Sequence, residues 1–400
     1  MNESMQARMA EATRLTQEGR LNEATALIQG ALGNSGPSTG PNLGADGFNV
    51  PIDVTSHLVG GTQQGPAAPW RGGGLGPDLF QANPNLLSRG VQHPPGSPFA
   101  KTAGAAGGAG DDEHFFTRSY SGAAGARSYK LYVPEGYDGE AVPLVMMLHG
   151  CTQDPDDFAA GTRMNALAEE HGFLVAYPAQ SGSANMQKCW NWFQAADQRR
   201  GQGEPSIIAG ITQQIIEDYE VDEGRVYVAG MSAGGAMAAI MGACYPDLYA
   251  AVGVHSGLAP GSAHDMPSAF SAMRQGNPGA PMPKAGSNRQ AEIPPTVVFH
   301  GDRDGTVHPR NGDRLLAHLT ASDGSSLKVS TRQGQVPDGH AFTRISYRDA
   351  DGRSVVERWS VHGLAHAWSG GGRPGSYTDP KGPDASAEMV RFFQQHAREK

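Results

Sequence analysis

From about residue 113 onward, short apolar runs alternate with amphipathic ones. RSYKLYVP (127–134), PLVMMLHG (143–150), FLVAYP (173–178), RVYVAG (225–230), AAVGVHS (250–256), PTVVFHG (295–301) and VVERWSVH (355–362) have strand composition. Between and after them, apolar positions recur at helical spacing over about 157–171, 205–219, 234–245, 310–320 and 384–398. Strands that are apolar at nearly every position must be covered on both faces. The alternation therefore predicts an α/β fold, a mostly parallel sheet with helices on both sides. Right-handed crossovers then bring the loops after the strands to one rim, where ligands bind in such sheets.

The preceding residues read differently. Over about 4–32, Leu21, Ala24, Leu27, Ile28, Ala31 and Leu32 form one apolar stripe, and Gly19 interrupts the pattern, so two short helices around a turn are expected. The string resembles half of a tetratricopeptide hairpin, and a single copy cannot cover its own face. A granule surface, a protein partner or the main domain is the expected cover. Residues 34–112 are dominated by Gly, Pro, Ser, Asn and Ala with no periodicity, the composition of a flexible linker that buries too little to offset its ordering entropy. The reading is thus a helical segment (1–33), a Gly/Pro-rich linker (34–112) and a catalytic domain (113–400). The linker accounts for much of the chain's 55 Gly and 28 Pro, well above ordinary usage.

The net charge of −9 argues against a nucleic-acid partner, which calls for a basic stripe. No run approaches the roughly 18 apolar residues of a membrane span. The first residues show neither a basic leader nor a continuous apolar core, so by sequence the expectation is a cytoplasmic protein. Three cysteines, Cys151, Cys189 and Cys244, with no Cys/His cluster, suggest no metal.

The chemistry centres on Gly230-Met231-Ser232-Ala233-Gly234, a G-x-S-x-G pentapeptide that follows a strand and opens a helical run. That context is what a nucleophile elbow requires: the turn is so sharp that its flanks need glycine, and the serine stands exposed at the rim. A serine hydroxyl needs a base within hydrogen-bond reach and an acid to orient that base. In this arrangement they follow in the order Ser, acid, His. The strand PTVVFHG leads into Asp302 and Asp304. Asp304, between Gly301 and Gly305, is preferred, with Asp302 as the alternative that caps the turn. Of the later histidines, His308, His318 and His396 fall on helical patterns, His340 in a polar turn and His362 at a strand end. His366, in the loop GLAHAWSGG, is the expected base. Backbone N–H groups of Ala233 and of Cys151, in the loop LHGCTQ, are the expected oxyanion donors.

With these residues assembled, 117–398 resembles the polyhydroxybutyrate depolymerase-type esterases, relatives of feruloyl and acetylxylan esterases. The matching strings are LHGCTQDPDDFA, NALAEEHGFLVAYP, KCWNWF, VYVAGMSAGGAMAA, HGDRDGTVHP, GLAHAWSGG and SYTDPKGPDAS. The resemblance implies the α/β-hydrolase fold, a triad of Ser232, Asp304 and His366, no cofactor, and activity on short-chain polyhydroxyalkanoate polyesters, oligomers or small esters. It also makes an extracellular location an alternative, since members are secreted. Trp190, Trp192 and Trp368 are candidates for an aromatic wall against the acyl chain, or else for core packing. Cys151 and Cys189 both lie in matching strings and are a candidate bridge, leaving Cys244 as a buried apolar residue. Two rivals stay open: a feruloyl or acetylxylan-type carbohydrate-acyl esterase, and an idle hydrolase domain tethered to a granule or partner.

Overall fold

The computed structural model describes residues 113–276, 293–321 and 327–398. The expected N-terminal helices and the linker lie outside the described residues. Among the described residues, ten strands form one sheet: β1 (Phe115–Gly122), β2 (Gly125–Tyr132), β3 (Val142–Leu148), β4 (Leu174–Pro178), β5 (Val221–Met231), β6 (Ala251–His255), β7 (Thr296–Gly301), β8 (Lys328–Gln335), β9 (Ala341–Arg348) and β10 (Ser354–Val361). They lie in the order β1-β2-β4-β3-β5-β6-β7-β10-β9-β8. From β4 to β10 every neighbour is parallel, and the pairs outside that block are antiparallel. The C-terminal ends of β3, β5, β6, β7 and β10 therefore share one rim, and each is followed by a segment carrying polar groups.

Among the described residues, seven α-helices accompany the sheet: α1 (Pro155–Thr162), α2 (Met164–His171), α3 (Gly203–Asp218), α4 (Ala233–Cys244), α5 (Met266–Gln275), α6 (Arg310–Ala321) and α7 (Ala385–Phe393). The central strands feed two cores by simple alternation. Leu144, Met146 and Leu148 of β3, with Val226 and Val228 of β5, meet Ile207, Ile211 and Ile215 of α3 and Met237 and Met241 of α4 on one face. Val145 and Met147, with Tyr227 and Ala229, meet Phe158 of α1, Met164 of α2 and Met389 and Phe393 of α7 on the other. Each such large apolar side chain, removed from water, contributes roughly 1.5–3 kcal/mol. Burial on both faces is why these strands read as unbroken apolar runs.

The structure departs from the pattern-based reading where the pattern was weak. The helix expected over 157–171 is two, because Arg163 between α1 and α2 takes φ 56°. The helix expected to 398 ends at Phe393. β1, β8 and β9 were not foreseen. β8, KVSTRQGQ, is exposed at all but one position, so no core face imposes an alternation, and its polar and charged residues suit an edge strand that must resist pairing with other chains. A further two-residue pair, β11 (Trp368–Ser369) with β12 (Thr378–Asp379), holds the segment after β10 against the rim.

Candidate active site

Ser232 stands between β5 and α4 with φ 56° and ψ −118°. A non-glycine residue held there is strained and persists only because its surroundings over-determine it. Its own N–H donates to the His255 carbonyl (2.9 Å) and its carbonyl accepts from the Ala236 N–H (2.9 Å). The flanking glycines admit the close approach that this demands. A Cβ on Gly234 would collide with the Leu148 carbonyl, and one on Gly230 with the Gly234 carbonyl. Ala233 is the first residue of α4, so its N–H has no partner within the helix.

The structure brings His366 and Asp304 to this serine. His366 Nε2 lies 3.0 Å from Ser232 Oγ, and His366 Nδ1 lies 2.7 Å from Asp304 Oδ2. The other oxygen, Asp304 Oδ1, accepts from the N–H groups of Thr306 (2.9 Å) and Val307 (2.8 Å). Burial pushes the Asp304 carboxyl up, but the hydrogen bond and charge of His366, the nearby His300 and the Val307 N–H outweigh it and leave the pKa below the ordinary aspartate value. Asp304 is thus held as a buried carboxylate that receives the ring N–H of His366 and leaves Nε2 facing the serine.

Asp302, the alternative acid, points elsewhere. It is exposed and receives His362 Nδ1 (2.9 Å) and the Gly363 N–H (2.7 Å), while His362 Nε2 meets Thr343 Oγ1 (2.9 Å). This second Asp–His pair ties the loop after β7 to the loop after β10 without touching Ser232. The remaining histidines are also engaged or distant: His340 pairs with Asp379 (2.9 Å), and His308 Nδ1 accepts from the Arg310 N–H.

The loop after β3 comes against the serine from the other side. A Cβ on Gly150 would lie 3.5 Å from the Ser232 Cβ. In this loop the Gly150 N–H donates to Gln153 Oε1 (3.0 Å), the Thr152 N–H to the Gln187 carbonyl (2.6 Å) and the Gln153 N–H to the Gly150 carbonyl (3.3 Å). The Cys151 N–H takes no part in this set. Cys151 is bridged to Cys189, with Cα atoms 4.2 Å apart, and Cys244 is a free buried cysteine.

Several positioning residues carried no local signal. His149 is buried; its Nδ1–H donates to the Gly150 carbonyl (2.7 Å) and its Nε2 accepts from the Gln180 N–H (3.0 Å), which requires the neutral ring. Burial lowers its pKa to about 4. His255 is buried as well: its carbonyl holds the Ser232 N–H, and its Nε2 accepts from the Ser369 N–H (3.0 Å), three residues past His366. Burial, then the charges of His300 and His366, lower its pKa to about 3. Gln153 Nε2 reaches Asp157 Oδ2 (2.8 Å) and Ser376, so the loop after β3 is tied to the segment before β12. These links run between segments far apart in sequence, and no short motif announces them.

Of the two readings of the tryptophans, the burial of all three indoles agrees with core packing. Trp368 is 1% exposed, stacks on His255 and meets Phe158 edge-on, with its N–H on Ser386 Oγ. Trp190 is 0% exposed against His149, and Trp192 is 6% exposed against Phe193. All three belong to the two cores. None presents a ring face to solvent, because at these positions filling the space beneath the rim loops takes the whole indole. A surface cavity of about 330 Å³ beside Tyr120, Arg127 and Gln180 does not include any of the residues around Ser232. Among the described residues, no group of three His, Cys, Asp or Glu side chains could hold a metal ion. No described helix is long and apolar enough to cross a membrane.

Comparison with known proteins adds the following. The family model described as Esterase PHB depolymerase matches residues 127–335, a range that includes Cys151, Ser232 and Asp304 and stops short of His366. The poly(3-hydroxyalkanoate) depolymerase C of Paucimonas lemoignei is 34% identical over 243 residues, 59% of this chain and 57% of that one. The poly(3-hydroxybutyrate) depolymerase of Ralstonia pickettii is 30% identical over 243 residues, covering 57% and 48%. The chain thus spans about half the length of these two relatives. Feruloyl esterase B of Neurospora crassa is 30% identical over 230 residues, 54% of this chain and 76% of that one. Among solved structures, an acetyl xylan esterase from Aspergillus awamori superposes with a TM-score of 0.53 at 20% identity, covering 70% of this chain and 99% of that chain, a likeness of fold.

Proposed function

The chain belongs to the PHB depolymerase family of esterases, of the α/β-hydrolase fold, and from this we propose that it hydrolyses carboxylic esters with Ser232 as nucleophile. The observation that carries the proposal is the unbroken chain Ser232 Oγ, His366 Nε2 and Nδ1, Asp304 Oδ2, at 3.0 and 2.7 Å, on a serine forced into a left-handed turn. Ser232 Oγ attacks the ester carbonyl as His366 Nε2 takes its proton, and Asp304 stabilises the imidazolium that forms. The negative charge on the carbonyl oxygen is received by the N–H groups of Ala233 and Cys151. The alcohol leaves with the proton from His366, and water repeats the sequence on the acyl-enzyme. No metal or organic cofactor enters these steps.

The two polyester depolymerases among the relatives favour short-chain polyhydroxyalkanoates, as polymer or oligomers, as the substrate class. A second reading, an acyl ester on a carbohydrate, is favoured by the feruloyl esterase, of which this chain covers the larger share. The Cys151–Cys189 bridge supports an oxidising compartment over the cytoplasm. Residues 1–33 would serve to bind a granule or protein partner.

A substrate panel separates these readings: hydroxybutyrate oligomers, amorphous polyhydroxybutyrate granules, acetylated xylan and feruloylated oligosaccharide, alongside labelling with a fluorophosphonate. Labelling at Ser232 with highest kcat/KM on the hydroxybutyrate substrates is expected. Preference for either carbohydrate ester would replace the substrate class. An unlabelled Ser232 would leave an idle domain.

A further inference from the structure

Tyr377 is neither packed nor comfortably placed. Its side chain is half exposed, 48%, and its backbone sits at φ 50°, a conformation that glycine adopts freely and a bulky L-residue only at a cost. Burial does not repay that cost, and a glycine would serve the turn better. The backbone is nonetheless tied down on both sides. The Tyr377 carbonyl accepts the Trp368 N–H (2.6 Å), two residues past His366, and Ser376 is held by Asp157 through its N–H (2.8 Å) and hydroxyl (2.6 Å).

The ring leans toward the loop of Cys151. Tyr377 OH lies 3.2 Å from Thr152 Oγ1. The single proton of the Thr152 hydroxyl goes to the Cys151 carbonyl at 2.6 Å, so the tyrosine is the donor in this pair. Thr152 is itself left-handed, φ 68°, and so is Lys188, φ 51°, on the facing loop. There Gln187 holds the Thr152 N–H, and its neighbour Met186 is 95% exposed. Two segments with a left-handed residue thus meet left-handed Thr152, the residue after Cys151, and each carries an exposed apolar side chain, Tyr377 on one and Met186 on the other. Strain of this kind gathers where function requires it.

We propose that Tyr377, with Met186 across the loop, forms the subsite that holds the aliphatic segment of the ester next to the scissile bond. The ring replaces the tryptophans as the apolar surface offered to substrate. Its hydroxyl keeps the ring upright against Thr152 and makes no bond to the ester. This rests on the esterase reading given above.

The test uses the full-length protein and p-nitrophenyl acetate, butyrate and octanoate. The readout is the ratio of kcat/KM on octanoate to that on acetate. Tyr377→Gly relieves the backbone, so the variant is expected to melt no lower than the wild type while the ratio falls about tenfold, through the KM for octanoate. Tyr377→Phe keeps the ring and should hold the ratio within about twofold. Val329→Ala, which trims an exposed apolar residue on the edge strand β8, should leave it unchanged. A folded Tyr377→Gly variant with an unchanged ratio, whether both rates hold or both fall together, would overturn the subsite. If the wild type cleaves none of the esters and Ser232 resists fluorophosphonate, the esterase reading fails first and takes the subsite with it.

Discussion

Replacing Asp304 by asparagine changes no volume, yet the hydrogen bonds around it dictate a specific failure. Asp304 Oδ1 accepts two backbone N–H groups, from Thr306 and Val307. Only an oxygen can occupy that position, so the asparagine carbonyl must turn toward them and its NH2 must face His366 Nδ1, where Oδ2 now lies at 2.7 Å. An NH2 can only donate there, and Nδ1 must become the acceptor. The ring proton then sits on Nε2, pointing at Ser232 Oγ 3.0 Å away, and the lone pair that would take the serine's proton is gone. In serine triads elsewhere this tautomer error costs roughly 10⁴ in kcat. At 1.36 kcal/mol per tenfold, that is about 5.5 kcal/mol of transition-state stabilisation. The assay is kcat/KM on p-nitrophenyl acetate, with circular dichroism to show that the fold is kept. Asp302→Asn is the matched control: it breaks the exposed pair with His362 and should cost less than about tenfold, as a loss remote from the reacting atoms. A larger loss from Asp302→Asn than from Asp304→Asn would refute the assignment of the acid.

Three further outcomes follow from the geometry. Ser232→Ala should lower kcat by about 10⁶ while the protein melts no lower, since it deletes one hydroxyl from a strained residue; turnover within tenfold of wild type in a preparation free of other esterases would remove Ser232 from the chemistry. Gly234→Ala should fail to accumulate as folded protein, because its Cβ meets the Leu148 and His149 carbonyls, backbone that cannot swing aside; a soluble variant of wild-type melting temperature would contradict this. His149, His255 and His300, lowered by burial to about 4, 3 and 4 from an ordinary 6.5, must stay neutral when folded. The unfolded chain therefore binds more protons below pH 6.5, and stability falls as pH drops through that value, by about 2 kcal/mol per histidine at pH 5. Urea midpoints equal at pH 8 and pH 5 would show that these rings are not held neutral.

What was legible in the sequence is what local pattern controls. Ser232 falls at its strand–helix turn because five consecutive residues specify that turn, and the central strands stand out because burial on both faces makes them apolar throughout. Asp304 and His366 lie in loops after strands, where the order of the chain narrows the choice. The edge strands β1 and β8, and β9 beside β8, escaped notice because their side chains are mostly exposed or only half-buried, which leaves no apolar period to read. The tryptophans stayed open between a substrate wall and core packing for a related reason: an indole beside a catalytic string in sequence can point either way, and only tertiary packing decides which. His255 was invisible as a functional residue. Its role depends on partners 23 residues before it and 114 after it, supplied by other strands.

The separation between Ser232 and His366 also bears on how the proposed catalytic site is assembled. Their hydrogen bond joins residues 134 apart, and the 62-residue span from Asp304 to His366 lies within that interval. Such contacts carry the loop-closure entropy of everything between them, and a parallel sheet can meet that cost only after its crossovers have docked. β5 supplies the serine and β10 delivers the loop of the histidine, with β6 and β7 between them in the sheet. No hairpin or local subunit of this chain can assemble the three groups in advance. Helix content and even a collapsed core can form in a refolding chain while turnover is still zero. Esterase activity would then report the completed fold and not any of its intermediates.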